Sequence, residues 1–391
     1  MDNLKEKALK LHEELVGKIS TELKTGLNDK DDLSLVYSPG VAEPCKKIHE
    51  NEDDAYIYTG KANTIAVISD GSAVLGLGDI GAKAALPVME GKACLFKKFG
   101  GLNAVPLVIN TNDTEEIIKF VKQVAPTFGG INLEDISSPR CIEIETRLKE
   151  ELDIPVFHDD QHGTAIVTIA ALINSLKLVN KKPEECNVVI SGVGAAGSSI
   201  VRMLNDFGIN DIFAFNSKGI LKEGEEYQKD LYNKLSKETN KENKDYTLEE
   251  AMEEADIFVG VSVPNKVSKE MVKSMRRNPI ILAMANPDPE ISYDDAKEAG
   301  ATVVGTGRSD FPNQVNNVLA FPGLFKGALS VHASAITEKM KIAAAEAIAS
   351  LIPDEEIRDN YVIPSPFDLR VADVVAKAVA DCAKEEGISQ K

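Results

Sequence analysis

The chain has 391 residues, 43% of them hydrophobic, and so exceeds the size at which one hydrophobic core keeps growing; we expect two domains. Its formal net charge of -18 argues against a nucleic acid or an anionic membrane as a partner, because both select a net positive face. The five cysteines are odd in number and form no C-x-x-C pair, which is typical of reduced thiols. The N-terminus lacks the apolar run of a signal peptide, and we expect no stretch long enough to span a bilayer. These features predict a cytoplasmic protein.

The first forty residues predict a helix followed by a turn. In the run S-L-V-Y-S-P-G-V, Pro39 and Gly40 favour a turn that holds Tyr37 at the end of a short extended segment. A lone tyrosine of this kind is most often an amphipathic residue at the rim of a fold. Before it, apolar residues recur at helical spacing and indicate an amphipathic helix with one buried stripe: Leu4, Ala8, Leu11, Leu15 and Ile19.

A strand is predicted at residues 64–68, and the glycine-rich stretch D-G-S-A-V-L-G-L-G-D-I-G follows it. Its glycines would let backbone approach a ligand closely. The next helix, around residues 82–97, carries Lys92 among apolar neighbours. A lysine there either reaches outward to water or stays partly desolvated. Desolvation would lower its pKa and make it usable as a base.

Two acidic pairs follow short apolar runs. Glu134 and Asp135 come after I-N-L, and Asp159 and Asp160 follow I-P-V-F-H at the seam between the two halves of the chain. Adjacent carboxylates on a loop are usually solvated. Oxygen ligands from two strand ends, however, can converge on one hard divalent cation. The two pairs therefore predict a metal site at this seam.

His158 and His162 allow a different interpretation, a zinc site, because they stand four residues apart. Two features weaken it. A glycine and a predicted turn within residues 159–164 make helical geometry across both histidines doubtful, and no cysteine or third histidine lies close in sequence.

The second half opens with N-V-V-I-S-G-V-G-A-A-G-S-S-I-V-R-M-L, a strand, a G-x-G-x-x-G loop and a helix. Gly192 permits the tight turn, Gly194 lets backbone approach a pyrophosphate, and Gly197 lets the helix pack on the strand. A second strand follows at the right distance. We therefore predict that a dinucleotide binds at the loop residues Gly192, Val193, Gly194, Ala195, Ala196 and Gly197.

Four asparagines occupy positions suited to ligands. Asn216 ends the second strand, where an acid would grip the adenosine ribose; an amide does not repel a 2′-phosphate, and Lys218 could attract one, so NAD and NADP both stay open. Asn286, before P-D-P at another strand end, is expected to face the nicotinamide end of the groove, and it is also compatible with a simple Asx turn. Asn316 and Asn317 lie beside a buried run, where an amide needs hydrogen-bond partners in the protein or in a ligand.

The assembled motifs resemble those of the malic enzymes, in particular the short prokaryotic form. The resemblance covers nearly the whole chain and rests on S-L-V-Y-S-P-G-V-A-E-P-C, V-L-G-L-G-D-I-G, L-P-V-M-E-G-K, F-H-D-D-Q-H-G-T-A, A-N-P-D-P-E and N-N-V-L-A-F-P-G, with the first acidic pair and the dinucleotide loop. It implies an α/β fold in two domains. Residues 1–162 would form a substrate domain like that of the amino-acid dehydrogenases, with the substrate, metal and catalytic residues. Residues 163–391 would form a Rossmann NAD(P)-binding domain whose last helices pack back across the cleft.

The resemblance also implies an activity, the oxidative decarboxylation of L-malate to pyruvate and carbon dioxide with reduction of NAD or NADP, in a homodimer. One position departs from the animal-type members, which place an arginine where this chain has Ala73, so the group that neutralises the second substrate carboxylate is unassigned. The same enzyme would also decarboxylate oxaloacetate. The alternatives are malate-to-lactate conversion, another 2-hydroxy-acid dehydrogenase and a nucleotide-binding regulator without turnover. By motif, Glu134, Asp135 and Asp160 would ligate Mg²⁺ or Mn²⁺, Lys92 would be the general base with Asp159 beside it, Tyr37 the general acid, and Asn286 and Asn317 the substrate ligands.

Overall fold

The computed structural model describes residues 2–74 and 76–391; Met1 and Leu75, a residue of the glycine-rich stretch, lie outside the described residues. Among the described residues ten strands form two sheets, with helices packed around them. The strands are β1 (Thr64–Ser69), β2 (Asn103–Val108), β3 (Gly130–Leu133), β4 (Val156–His158), β5 (Asn187–Ser191), β6 (Asp211–Asn216), β7 (Gly219–Ile220), β8 (Ile257–Gly260), β9 (Ile280–Ala283) and β10 (Val303–Thr306). The helices are α1 (Asp2–Leu15), α2 (Lys30–Val36), α3 (Ala42–Glu50), α4 (Ala55–Tyr58), α5 (Gly81–Leu95), α6 (Thr114–Val124), α7 (Arg140–Glu151), α8 (Asp159–Val179), α9 (Ala195–Asp206), α10 (Asp230–Leu235), α11 (Leu248–Glu253), α12 (Lys269–Ser274), α13 (Tyr293–Glu298), α14 (Phe321–Ser330), α15 (Glu338–Ser350) and α16 (Val371–Glu385).

The first sheet is parallel throughout and has the order β2-β1-β3-β4. The central strand β1 is buried from Ile65 to Ser69, as expected for a strand with parallel neighbours on both sides. Its side chains alternate between two cores: Ile65 and Val67 pack towards the second half, while Ala66 and Ile68 pack against α6 and α7. Because the strands run the same way, their carboxyl ends share one edge.

The second sheet has the order β10-β9-β8-β5-β6-β7, and only the short β7 runs antiparallel to its neighbour. From β5 the chain moves to β6 on one side and later returns to β8 on the other. This reversal is the switch point at which open parallel sheets bind ligands. The α/β fold and the Rossmann-type second sheet predicted from the sequence are confirmed.

One continuous core joins the two sheets. Helix α8 is buried over most of its length and packs against α9 and α15. Phe325 of α14 makes edge contacts with Phe96 and Phe157 of the first half, at 5.5 and 5.9 Å between ring centroids. The domain boundary predicted between residues 162 and 163 falls inside α8 and stays a prediction.

Helix α8 also corrects one expectation. Its 21 residues are long and apolar enough to cross a membrane by length and composition, whereas the sequence was expected to contain no such stretch. Of its most apolar 18 residues, 78% are buried inside the protein. That burial is typical of the core helix of a globular protein, which can be as long and as apolar as a membrane span.

The N-terminal part differs most from prediction. The expected buried stripe is exposed, with Leu4 at 72% and Leu15 at 55%, and α1 ends at Leu15. Asp29 caps α2 by accepting hydrogen bonds from the next turn, so the run before Tyr37 is helical rather than extended. No residue from 3 to 64 is buried. Apolar spacing predicts a helix, but it does not say what the helix packs against.

Candidate active site

Two neighbouring strands end in the predicted acidic pairs. Strands β3 and β4 are paired in parallel to their last residues, so the residues that follow them lie side by side at the carboxyl edge of the first sheet. Glu134 and Asp135 come from β3, and Asp159 and Asp160 open helix α8. The Asp135 backbone N–H donates to Asp160 Oδ2 at 2.9 Å. The structure thus brings the two pairs together, as the sequence predicted.

Lys92 of α5 lies between the two pairs. Its Nζ is 2.7 Å from Asp159 Oδ2 and 2.8 Å from Glu134 Oε1, and 4.2 Å from the centroid of the Phe321 ring. Burial by itself lowers the pKa of Lys92, but the two carboxylates outweigh it and raise this pKa above its ordinary value. The expectation of a lowered pKa is therefore wrong, because the two carboxylates outweigh burial. The sequence around Lys92 could not show this, since both carboxylates come from distant parts of the chain.

Glu134, Asp135 and Asp160 each offer one carboxylate oxygen, and these oxygens lie within 4.8 Å of one another. Burial, followed by repulsion from Asp160, raises the pKa of Asp135 to about 7. Burial also raises the pKa of Glu134, although the Lys92 charge opposes the shift. Asp135 Oδ2 is buried and has no hydrogen-bond partner among the described residues. A crowded, under-neutralised set of oxygens fits a hard divalent cation, which would relieve the repulsion.

The two histidines do not form a metal pair. The segment expected to be a turn is helical from Asp159 onward, and His158 precedes the helix as its N-cap. Both histidines are buried, and His162 Nε2 is engaged by Glu145 Oε2 at 2.8 Å. Within residues 2–74 and 76–391 the cluster with metal-ligand spacing contains carboxylates alone. The zinc interpretation thus loses its support.

A buried polar network that the sequence did not reveal surrounds His162. Because the Glu145 carboxylate can only accept, His162 Nε2 carries the proton and Nδ1 is the acceptor. Nδ1 lies 2.9 Å from Ser199 Oγ and 2.9 Å from Lys341 Nζ. Burial lowers the pKa of His162 to about 4 and that of Lys341 to about 8. The partners come from α7, α9 and α15, so no local sequence motif predicts them. The second histidine of F-H-D-D-Q-H-G-T was the signal that the sequence offered.

The glycine-rich loop after β5 leaves room for a ligand at one position. Gly192 has a φ of +101°, and a Cβ there would lie 2.6 Å from the Val261 carbonyl oxygen. A Cβ at Gly197 would lie 1.8 Å from the Gly192 carbonyl oxygen, whereas a Cβ at Gly194 would meet nothing within 4 Å. The protein itself therefore requires Gly192 and Gly197, and Gly194 faces open space where a pyrophosphate would approach. The remaining predicted loop residues, Val193, Ala195 and Ala196, lead into α9.

Only one of the predicted asparagines reaches the carboxylates. The Asn317 amide donates to Asp159 Oδ2 and so brings a residue of the second half to the cluster. Asn216 Oδ1 accepts from the N–H groups of Lys218 and Gly219, at 2.7 and 3.1 Å, and closes the turn after β6. Asn286 is exposed beyond the end of β9.

Of the three predicted catalytic residues, Tyr37 is the one that no contact among the described residues joins to the cluster. It follows α2, its side chain is 68% exposed, and its backbone N–H donates to the Leu33 carbonyl oxygen. Its hydroxyl has no hydrogen-bond partner in the part of the chain that the structure describes.

Known proteins match this chain along its whole length. The family described as "Malic enzyme, N-terminal domain" matches residues 16–149, and "Malic enzyme, NAD binding domain" matches residues 161–384. The bifunctional malic/malolactic enzyme of Bacillus subtilis is 57% identical over 389 residues, which cover 99% of this chain and 95% of that protein. The NAD-dependent malic enzyme of Geobacillus stearothermophilus is 51% identical over 389 residues, covering 100% and 81%. The crystal structure of malic enzyme from Pyrococcus horikoshii aligns with a TM-score of 0.95 at 46% identity, covering 99% of this chain and 92% of that one.

Proposed function

The chain belongs to the malic enzyme family, and from that premise we propose that it converts L-malate to pyruvate and carbon dioxide while reducing NAD or NADP. The observation that supports this most is the convergence of Lys92 with three clustered carboxylates at the carboxyl edge of the first sheet. Oxidation of a 2-hydroxy acid needs a base at the hydroxyl and positive charge at the carboxylate in one place. Lys92 is the candidate for the base, and the three carboxylates form a site for a cation that would supply the positive charge.

In this proposal Lys92 removes the proton of the C2 hydroxyl as hydride leaves C2. The amine must be neutral to do so, whereas Glu134 and Asp159 together outweigh burial and raise its pKa. We therefore expect Lys92 to act as a base only when the charge of Glu134 is engaged by a cation. Asp159 and the ring of Phe321 hold the nitrogen in place throughout.

Glu134, Asp135 and Asp160 would hold Mg²⁺ or Mn²⁺. When bound, the ion supplies Lewis-acid polarisation of the oxidised C2 oxygen, and so favours release of the C4 carboxylate as carbon dioxide. It also inverts the local field, which explains how a protein of net charge -18 would bind a dianion. Asn286 and Asn317 would hold the substrate, and Tyr37 would protonate C3.

The dinucleotide would lie on the loop from Gly192 to Gly197, with Asn216 near its ribose and Asn286 near its nicotinamide. No acid stands at Asn216, so we propose that both NAD and NADP enter the site. The five unpaired cysteines support a reducing compartment, the cytoplasm. We also propose that the working form is a homodimer, without nucleic-acid or membrane partners.

An initial-rate assay of malate with NAD and with NADP, each with and without Mn²⁺, tests this function. Lys92→Ala should abolish malate oxidation and leave oxaloacetate decarboxylation partly intact, because the second reaction needs no base at C2. Lys83→Ala, exposed on the same helix, is the control and should behave as the wild type. Unchanged malate turnover in Lys92→Ala would remove the proposed base.

A second function is suggested by the name of the Bacillus subtilis relative, a bifunctional malic/malolactic enzyme. In that reaction malate would yield lactate, and the nicotinamide would be reduced and reoxidised without leaving the site. The absorbance of reduced nicotinamide at 340 nm distinguishes the two. Lactate formed without that absorbance would favour the malolactic reaction.

A further inference from the structure

The start of helix α8 is held by one buried carboxylate. Glu145 of α7 is 4% exposed, and its Oε1 accepts a hydrogen bond from the His158 backbone N–H at 3.1 Å. Its Oε2 accepts from the side chains of Gln161 and His162, at 3.4 and 2.8 Å. Helix α7 follows the first acidic pair along the chain, and α8 begins with the second. Glu145 therefore ties together the two helices whose starts carry the proposed ligands of the cation.

His162 extends this connection to the dinucleotide-binding half of the chain. It stands two residues after Asp160 on α8. Ser199 Oγ and Lys341 Nζ each lie 2.9 Å from its Nδ1. Ser199 is buried in α9, two residues after Gly197, the last glycine of the dinucleotide loop. A continuous series of buried contacts thus runs from the second acidic pair to that loop.

The polar groups in this series are engaged within the protein. Both oxygens of Glu145 and both nitrogens of His162 have partners, and Lys149 Nζ balances the Glu145 charge at 2.8 Å from Oε1. Burial of ionised side chains costs free energy that apolar residues of the same volume would avoid. Stability alone therefore does not require this arrangement. A satisfied network of hydrogen bonds does, however, fix the relative position of the elements that it joins.

We propose that Glu145, His162 and Ser199 are positioning residues that couple binding of the divalent cation at the cluster to binding of the dinucleotide at its loop. Once the ion relieves the repulsion between the two acidic pairs, Glu145 holds α7 and α8 at one spacing. His162 and Ser199 then hold the start of α9 in a matching position, so the loop loses less freedom when the dinucleotide binds. Coupling between two sites is reciprocal, and each ligand should tighten the other by the same factor, about tenfold. The inference rests on the proposed function, which assigns the two ligands to these two sites.

Binding measurements without malate test the coupling. The dissociation constant of NAD is measured by isothermal titration calorimetry on the full chain, with saturating Mn²⁺ and with a chelator. That of Mn²⁺ is measured by electron paramagnetic resonance, with and without saturating NAD. In the wild type the two ratios of dissociation constants should be equal, at about tenfold. In Ser199→Ala both ratios should fall to about one, because the contact from α8 to α9 is lost while Lys341 still donates to His162 Nδ1.

Two further variants complete the test. Ser198→Ala is the matched control, because Ser198 Oγ donates to the Ala195 carbonyl oxygen at 3.0 Å within its own helix and should leave the wild-type ratios unchanged. Glu145→Gln breaks the same series of contacts at α7, since one of the two accepting oxygens becomes a donor. It should also bring both ratios to about one, and it decides the question if Ser199→Ala does not fold.

The ratios separate coupling from a purely structural role and from the function itself. Weaker binding of both ligands to Ser199→Ala at unchanged ratios would mean that Ser199 only stabilises the fold, and would overturn the proposal. Unchanged ratios with unchanged affinities would also overturn it, because a direct attraction between the ion and the pyrophosphate survives this substitution. A wild type that binds both ligands without any coupling would overturn the proposal and leave the proposed function standing. A wild type that binds neither ligand would overturn both.

Discussion

Lys341 offers a test of the buried network that needs no ligand. Its side chain is fully buried, and burial lowers its pKa from 10.5 to about 8. Because the folded protein binds this proton less tightly than the unfolded chain does, the charged lysine disfavours folding at low pH. The free energy of unfolding should therefore rise as the pH passes through 8 and approaches 10.5. For a shift of this size the gain is about 2 kcal/mol between pH 7 and pH 9.5.

Replacing Lys341 by Met keeps the volume and removes the titration. His162 Nδ1 keeps Ser199 Oγ as its donor, and the largely exposed Glu338 keeps water, so no buried group loses its last partner. Urea unfolding at constant protein concentration should show the wild type gaining about 2 kcal/mol over Lys341→Met from pH 7 to pH 9.5. Lys339→Met, 78% exposed on the same helix, should follow the wild type. If the free energies of unfolding of wild type and Lys341→Met changed in parallel with pH, the pKa of Lys341 would not be lowered by folding.

Three further predictions concern single residues. Asp135→Asn should weaken Mn²⁺ binding by at least about tenfold, as measured by electron paramagnetic resonance, and leave dinucleotide binding unchanged; equal Mn²⁺ affinity would exclude this carboxylate as a ligand. Gly194→Ala should change the melting temperature less than Gly197→Ala, because its Cβ meets nothing within 4 Å, yet it should weaken NAD binding at least about tenfold. Gly197→Ala should lower the melting temperature because its Cβ clashes with the Gly192 carbonyl oxygen. Burial raises the pKa of Cys141 to about 12, so it should resist alkylation at pH 8 in the folded protein and react after unfolding; rapid native labelling detected by peptide mass mapping would contradict its burial.

The parts of the site that local pattern fixes could be predicted from the sequence. Glu134 and Asp160 each follow a short apolar run, and parallel pairing of those runs brings the carboxylates together. Gly192 and Gly197 stand where backbone geometry admits no side chain. In both cases the physical cause acts within a few residues of the motif, which is why the motif reveals it.

The parts that depend on distant contacts could not be predicted. The direction of the pKa shift at Lys92 depends on the carboxylates of Glu134 and Asp159, which follow strands β3 and β4, while the neighbours of Lys92 in its own helix are apolar. The network around His162 needs Glu145 and Lys341, which no spacing connects to it. The stripe through Leu11 predicted a helix correctly, but its burial was wrong, because periodicity gives the shape of a surface without naming what covers it.

Helix α8 explains why residues from both halves meet at one site. Its first residue, Asp159, is bonded both to Lys92 of the first half and to Asn317 of the second. One turn later His162 lies 2.9 Å from Ser199 of α9, the helix that begins at the dinucleotide loop. The helix is buried along most of its length and cannot bend freely, so the position of the dinucleotide loop and that of the proposed base are set by the same helical turn. If Asp159 and Asp160 lay on a free loop, each half of the chain could move separately. Because they lie on α8, the dinucleotide loop and Lys92 keep a fixed position relative to each other.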